Sequence, residues 1–245
     1  MEDGKVALIT GGSGGIGSAA ARRLAAAGWR LALAARGAER LEAVAAETGA
    51  LAITADATRS ADVDRAAQAT VERYGRLDAA VHCVGSILLK SAHITSDEEF
   101  ADTIQRNLAS AFYLLRAAAK AMRKDGGAIV LMSSSAGRIG LPNHEAIAAA
   151  KAGIIGMAQS AAASYAANRI RVNCVAPGLV DTAMAERIVG NEASLKASQA
   201  MHPLGRIGQP DEVAAVIEWL VGENGSWVTG QTIGIDGGLS TVKAR

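Results

Sequence analysis

The segment Thr10–Gly17, TGGSGGIG, places five glycines in eight residues between the apolar run KVALIT and an alanine-rich stretch of helical period. A strand that turns into a helix through glycines presents bare backbone N–H groups at the positive end of a helix dipole, the arrangement that holds a phosphate. Such a turn belongs to a βαβ unit, and the rest of the chain repeats the unit. WRLALAA, ALAIT, DAAVHCV, GAIVLMS, IRVNCVA and QTIGI are further short apolar runs, making seven candidate strands with KVALIT. Helical patterns over 16–28, 39–47, 60–74, 97–123, 143–167 and 210–221 alternate with them. The alternation predicts an α/β fold: a doubly wound parallel sheet of about seven strands with helices on both faces. Ligands of such sheets bind beyond the carboxyl ends of the strands, so the residues just after each strand are the candidates for function.

The 245 residues contain no Pro/Ser-rich linker, and we read residues 1–245 as one dinucleotide-binding domain. AMAERIVGNEASLKASQAMHP, over 183–203, breaks the strand–helix rhythm and is read as a lid over the substrate. A formal charge of +1, from 25 basic and 24 acidic residues, creates no field suited to nucleic acid or an anionic membrane, so the expected partner is a small molecule. Two cysteines make no disulfide framework, and MEDGKVALIT has acids where a signal peptide has bases; a cytoplasmic protein is expected. The charge-free run 152–168 contains Gln159, Ser160, Ser164 and Asn168, which predicts a packed helix rather than a membrane span. His82, His93, His144 and His202 show no metal-ligand spacing with one another or with the cysteines.

A Gly-x-Gly-x-x-Gly string fits at Gly12, Gly14 and Gly17, and the loop's Gly11, Ser13, Gly15, Ile16 and Gly17 are candidate dinucleotide contacts. In Rossmann-type sites an acid about 20 residues beyond the loop takes the ribose 2′-OH, whereas an arginine accommodates a 2′-phosphate. That place reads Ala35-Arg36, which favours NADP(H) over NAD(H), the alternative being that Arg36 only faces solvent.

At these residues the chain resembles the short-chain dehydrogenase/reductase family, whose Thr-Gly-x-x-x-Gly-x-Gly loop is matched by Thr10, Gly11, Gly15 and Gly17. The likeness spans nearly the whole chain through Asp56, Asn107, Ser134, Lys151 and the PGLVDT segment, Pro177–Thr182. It implies that Asp56 and Ala57 face adenine, Lys151 the nicotinamide ribose, and Val180 and Thr182 the carboxamide. It also places Cys83, Gly85, Pro177 and Gly178 among the cofactor contacts. Relatives of this kind pair the helices 97–123 and 143–167 across a two-fold axis, so a homotetramer or homodimer is expected; Ala148, Ala149, Ala162 and Ala163 permit close approach.

The resemblance departs at one position. The family's Tyr-x-x-x-Lys pair would put tyrosine four residues before Lys151, and that residue is Ile147. One helical turn apart, the two share a face, and an isoleucine transfers no proton. By the resemblance Ser134 holds a carbonyl and Asn107 a water of the proton relay. Seven residues before Lys151, nearly two turns, stands His144, and bacterial enoyl reductases of the same superfamily carry their tyrosine at that spacing in Pro-Asn-Tyr, here PNH. His82–Gly85, HCVG, is similar to the His-Ser-Ile-Gly of some enoyl reductases. Histidine titrates near neutrality and could serve as the acid, or it could be only a polar residue at the helix start. The favoured reading is an NAD(P)H-dependent reductase of a conjugated C=C such as an enoyl thioester or enone; the alternatives are a carbonyl reductase of 3-oxoacyl type with an atypical proton donor, and a catalytically silent NADP-binding sensor or subunit.

Overall fold

A computed structural model of the protein describes residues 4–243. The apolar runs form β1 (Val6–Thr10), β2 (Arg30–Ala35), β3 (Leu51–Thr54), β4 (Ala79–His82), β5 (Gly127–Met132), β6 (Ile170–Pro177) and β7 (Thr232–Ile235). All pair in parallel, in the order β3-β2-β1-β4-β5-β6-β7. Every residue of β1 and β4 is buried, as required of central strands covered on both faces, which explains why these strands read as unbroken apolar runs. The order in which strands are added to the sheet reverses between β1 and β4, so a crevice opens at their carboxyl ends.

The helices are α1 (Gly15–Ala26), α2 (Ala38–Thr48), α3 (Ser60–Tyr74), α4 (Asp97–Ile104), α5 (Ser110–Met122), α6 (Glu145–Tyr165), α7 (Glu186–Val189), α8 (Glu192–Met201) and α9 (Pro210–Val221). Leu24, Leu41 and Ile217 carry α1, α2 and α9 onto one face of the sheet, and Val63, Leu114 and Ile154 carry α3, α5 and α6 onto the other. Buried alanines at Ala19–Ala21 on α1 and Ala117–Ala119 on α5 let helix backbones come close. The stretch from Glu145 to Asn168 is apolar and long enough to cross a membrane by length and composition, yet Ile154, Ala158, Ala161 and Ala162 are packed into the core over the sheet. The Arg171 guanidinium on β6 donates to the carbonyls of Leu220 and Gly225, both at 2.7 Å, and so ties the end of α9 to the sheet.

Three details differ from the periodicity reading. The helix expected over 97–123 is interrupted by a π-helical turn at Gln105–Ala109. There the Asn107 side chain donates to the Thr103 carbonyl at 2.9 Å, a local bond that competes with the regular helical ladder. The helix expected from 143 begins at Glu145, because Asn143 has a left-handed backbone with φ of 63°. Within 183–203, a 3₁₀ turn at Ala183–Ala185 leads into α7 and α8.

Leu131, fully buried on β5, supplies a direct test of the packing. Leu131→Ala should lower the unfolding free energy by about 2–5 kcal/mol. Leu204→Ala, at a residue 70% exposed, should change it by less than about 0.5 kcal/mol in the same urea titration.

Candidate active site

At the switch point the backbone of Thr10–Gly17 leaves β1 and enters α1. A Cβ on Gly17 would overlap the Gly11 carbonyl oxygen, so the helix starts closer to the strand exit than another residue permits. Gly11 itself has φ of 74° and faces the Cys83 carbonyl, where a Cβ would also overlap. The N-cap of α1, Gly14, supplies no side-chain cap. The N–H groups of the first turn therefore face the cleft without a side-chain acceptor, which suits a pyrophosphate.

The cleft encloses about 390 Å³. Of the sequence candidates, Gly11, Ser13, Gly15, Ile16, Arg36, Asp56, Ala57, Cys83, Gly85 and Thr182 line it. Gly17 lies behind them, against Gly11. At one end stand two arginines. Arg36 makes no hydrogen bond or salt bridge among the described residues, whereas Arg40, one turn further along α2, donates to the Ser13 carbonyl at 3.3 Å. Across from them Asp56 accepts from the Thr58 N–H at 2.9 Å and hydroxyl at 2.8 Å. Its carboxyl is held below the usual range by the Thr58 backbone N–H first, then by the Thr58 hydroxyl and the Arg36 charge against a burial penalty. Arg36 stands out in the sequence as the residue that follows β2, whereas Arg40 carries no motif and reaches the cleft only because α2 begins at Ala38.

A second chamber of about 150 Å³ adjoins the first and shares Ile16, Cys83, Val84, Gly85, Thr182 and Met184 with it. Ser134, Ile147, Lys151, Pro177, Gly178 and Val180 line this chamber. Lys151 is 6% exposed, and its Nζ donates to the Met132 carbonyl at 3.0 Å. Burial draws its pKa down to about 8, with small opposing contributions from Cys174 and Cys83. Ile147, 5% exposed, puts a hydrocarbon wall beside it. Ser134 accepts from the Ala136 N–H at 3.2 Å.

Two candidates lie elsewhere. Asn107 is fully buried behind Gly85 and lines neither space. Its amide donates to Ser86 Oγ and the Thr103 carbonyl and accepts from the Ser86 N–H, so both of its N–H groups are committed inside the protein. His144 is not on the helical face expected for it. It is the N-cap of α6 with φ of −116° and ψ of 11°, outside the helix, and its Nδ1 lies 2.7 Å from the Pro142 carbonyl. It lines neither the cleft nor the chamber. The two-turn spacing failed as a guide because the left-handed Asn143 starts the helix one residue too late for it to apply.

His82 is also fully buried. Its Nε2 lies 2.9 Å from Ser110 Oγ, whose own hydrogen goes to the Arg106 carbonyl, so Nε2 is the donor and Nδ1 an acceptor with no partner among the described residues. Burial first, and the Lys151 charge second, draw its pKa down to about 3. Among the described residues no three His, Cys, Asp or Glu side chains gather into a metal site.

A family model described as "Enoyl-(Acyl carrier protein) reductase" matches residues 11–240. The chain belongs to the short-chain dehydrogenase/reductase family. It is an oxidoreductase of that family by this match and by relatives aligned along almost its full length. It is 36% identical to a 3-oxoacyl-acyl-carrier-protein reductase of Thermotoga maritima, covering 97% of this chain and 98% of the relative. It is 34% identical to a D-threitol dehydrogenase of Mycolicibacterium smegmatis, covering 98% and 94%. Its fold superposes on a crystal structure of an actinorhodin polyketide ketoreductase variant with NADPH at a TM-score of 0.93, with 31% identity and 99% of each chain covered. These relatives are named for carbonyl or alcohol chemistry.

In this short-chain dehydrogenase/reductase the chamber wall is braced by the end of α8. His202, buried at the end of α8, donates from Nδ1 to the Ser198 carbonyl at 2.6 Å and accepts the Leu179 N–H on Nε2 at 3.2 Å. A Cβ on Gly178 would come within 2.5 Å of that Nε2. Gly178→Ala should therefore displace His202 and loosen α8: faster proteolytic cleavage within 183–203 is expected, with secondary structure unchanged by circular dichroism. Unaltered cleavage would show that His202 does not hold α8 against the chamber wall.

Proposed function

We propose that the protein is an NADP(H)-dependent carbonyl reductase acting on a small, largely apolar substrate. The observation that carries the reading is the continuity of the two spaces: the glycine-loop cleft opens directly into a chamber holding Ser134 and Lys151. The preference for NADP(H) is supported by Arg36, which makes no hydrogen bond or salt bridge among the described residues, and by Arg40 beside it. Together they offer the two cations that a 2′-phosphate takes up by charge-assisted hydrogen bonds. No acid on the end of β2 would hold a 2′-OH instead.

When bound, the nicotinamide would supply hydride. The chain's own residues do the rest. The first turn of α1 receives the pyrophosphate, Asp56 and Ala57 border the adenine end, and Lys151 offers N–H donors to ribose. Ser134 holds the carbonyl oxygen as negative charge grows on it. Met132, Ile147, Leu179 and Met184 exclude water and give the chamber its apolar character.

Reduction of a conjugated C=C is the second reading, supported by the description of the matching family model and by the isoleucine at 147. A panel of small ketones, 3-oxoacyl thioesters, enones and enoyl thioesters with NADPH separates the two. Ketone turnover exceeding enone turnover is the expected result. NADPH binding without turnover of any member would support the silent-subunit reading. Arg36→Ala should raise the NADPH dissociation constant by about tenfold or more, about 1.5–3 kcal/mol for lost charged hydrogen bonds, and leave NADH within about threefold. Calorimetry giving equal NADPH and NADH affinities for the unmutated protein would refute the preference.

A further inference from the structure

Reduction of a carbonyl needs a proton as well as a hydride, and the chamber wall has few sources. Its ionisable side chains are Cys83 and Lys151. Burial pushes the Cys83 thiol up to about 12, which makes it a poor donor near neutrality. Ile147, one turn before Lys151 on the same helix, has none to give. His144 faces the Pro142 carbonyl outside the chamber. Lys151 differs from all of these. Its Nζ makes one hydrogen bond among the described residues, to the Met132 carbonyl, so of the three ammonium hydrogens one is left for the ribose and one for the substrate oxygen.

We propose that Lys151 is itself the proton donor, its ammonium acting directly on the substrate oxygen where a relative with Tyr-x-x-x-Lys would present a phenol. The inference rests on the carbonyl-reductase reading above. In the step, the carbonyl carbon gains a hydride from the reduced nicotinamide, the C=O π pair moves to oxygen, and oxygen takes a proton from Nζ. The lysine is left as a neutral amine and regains its proton from solvent. In the reverse direction the neutral amine accepts the alcohol proton.

The surroundings favour this role. The titratable groups acting on Lys151 are His82 at the end of β4, Cys83 just after it and Cys174 from β6. Burial leaves His82 with a pKa near 3 and both thiols near 12, so all three are neutral at pH 7. No carboxylate is among them. A buried ammonium without a counter-ion is a stronger acid than one in water, and the value of about 8 lies where a general acid is protonated at neutral pH yet gives up its proton readily.

The test follows initial rates of ketone reduction at saturating NADPH from pH 6 to 10, together with an NMR titration of the lysine side chains in the cofactor-free protein. The reductive rate should be flat at low pH and fall about tenfold per pH unit above an apparent pKa near 8. Alcohol oxidation should rise through the same range. The Lys151 resonance, identified by its loss in Lys151→Arg, should titrate near 8; titration above 10 would overturn the proposal even if the arginine variant proved unstable.

Lys151→Arg keeps a cationic N–H donor for ribose but holds its proton too tightly to act as an acid. It should bind NADPH within about fivefold of the unmutated protein, lose about 10²–10⁴-fold in rate, and lose the alkaline fall. A rate within about threefold, or an alkaline fall that persists, would overturn the proposal while leaving the carbonyl reading intact. Ile147→Tyr separates the remaining outcomes. If the unmutated protein reduces no ketone and Ile147→Tyr does, the site is sound but the natural protein is silent, and the carbonyl reading fails together with the lysine role. If neither reduces a ketone, the carbonyl reading fails and the lysine role falls with it.

Discussion

The contact between Gly17 and the Gly11 carbonyl governs where everything else can sit. It sets how near α1 begins to the exit of β1, and with that the direction in which the first-turn N–H groups face. The same exit lies beside the carboxyl end of β4, where Cys83 meets Gly11 without room for a Cβ. One close approach between backbones thus aligns the glycine loop with the strand that carries His82–Gly85 and shapes the wall shared by both spaces. Any side chain at 17 would push α1 outward and widen the crevice at the end where phosphate must be gripped from several sides.

Most of the fold was legible because both sheet faces are covered. A strand buried on each side reads as a continuous apolar run, and all seven such runs became strands in one parallel sheet. Features that depend on a single side chain competing with the backbone were not legible. Periodicity cannot foresee that Asn107 takes the Thr103 carbonyl and opens a π-helical turn, nor that Asn143 adopts a left-handed backbone and delays α6. The second error moved a candidate residue: His144 shares a face with Lys151 only if the helix already includes it. At the cofactor end the glycine loop and Arg36 stood out as motifs, whereas Arg40 reached the cleft through the geometry of α2, which no motif describes.

The two ends of the combined site use cations in opposite ways. Arg36 and Arg40 stand exposed, where water and a strongly basic guanidinium keep the charge permanent and suited to holding an anion. Lys151 is buried, where the cost of charge makes the ammonium labile. Position along one crevice, and the dielectric that comes with it, thus separates a binding charge from a transferable proton. Ile147 strengthens the separation, since its side chain keeps the lysine dry without adding another group that titrates.

The buried alanines of α1 and α5 have a consequence for how this platform withstands heat and change. An alanine side chain has no rotamers to lose, so ordering Ala19–Ala21 and Ala117–Ala119 costs almost no side-chain entropy, whereas a core built from leucine and methionine would give up about 0.5–2 kcal/mol at each such position. The helices pack at short range with little conformational freedom to surrender. The same economy removes slack: a surface with no flexible side chains cannot rearrange around an added methyl group, so enlargement at these positions is relieved only by moving a helix. Variation during divergence is thereby steered away from the helix faces that touch the sheet and toward the loops beyond the strand ends.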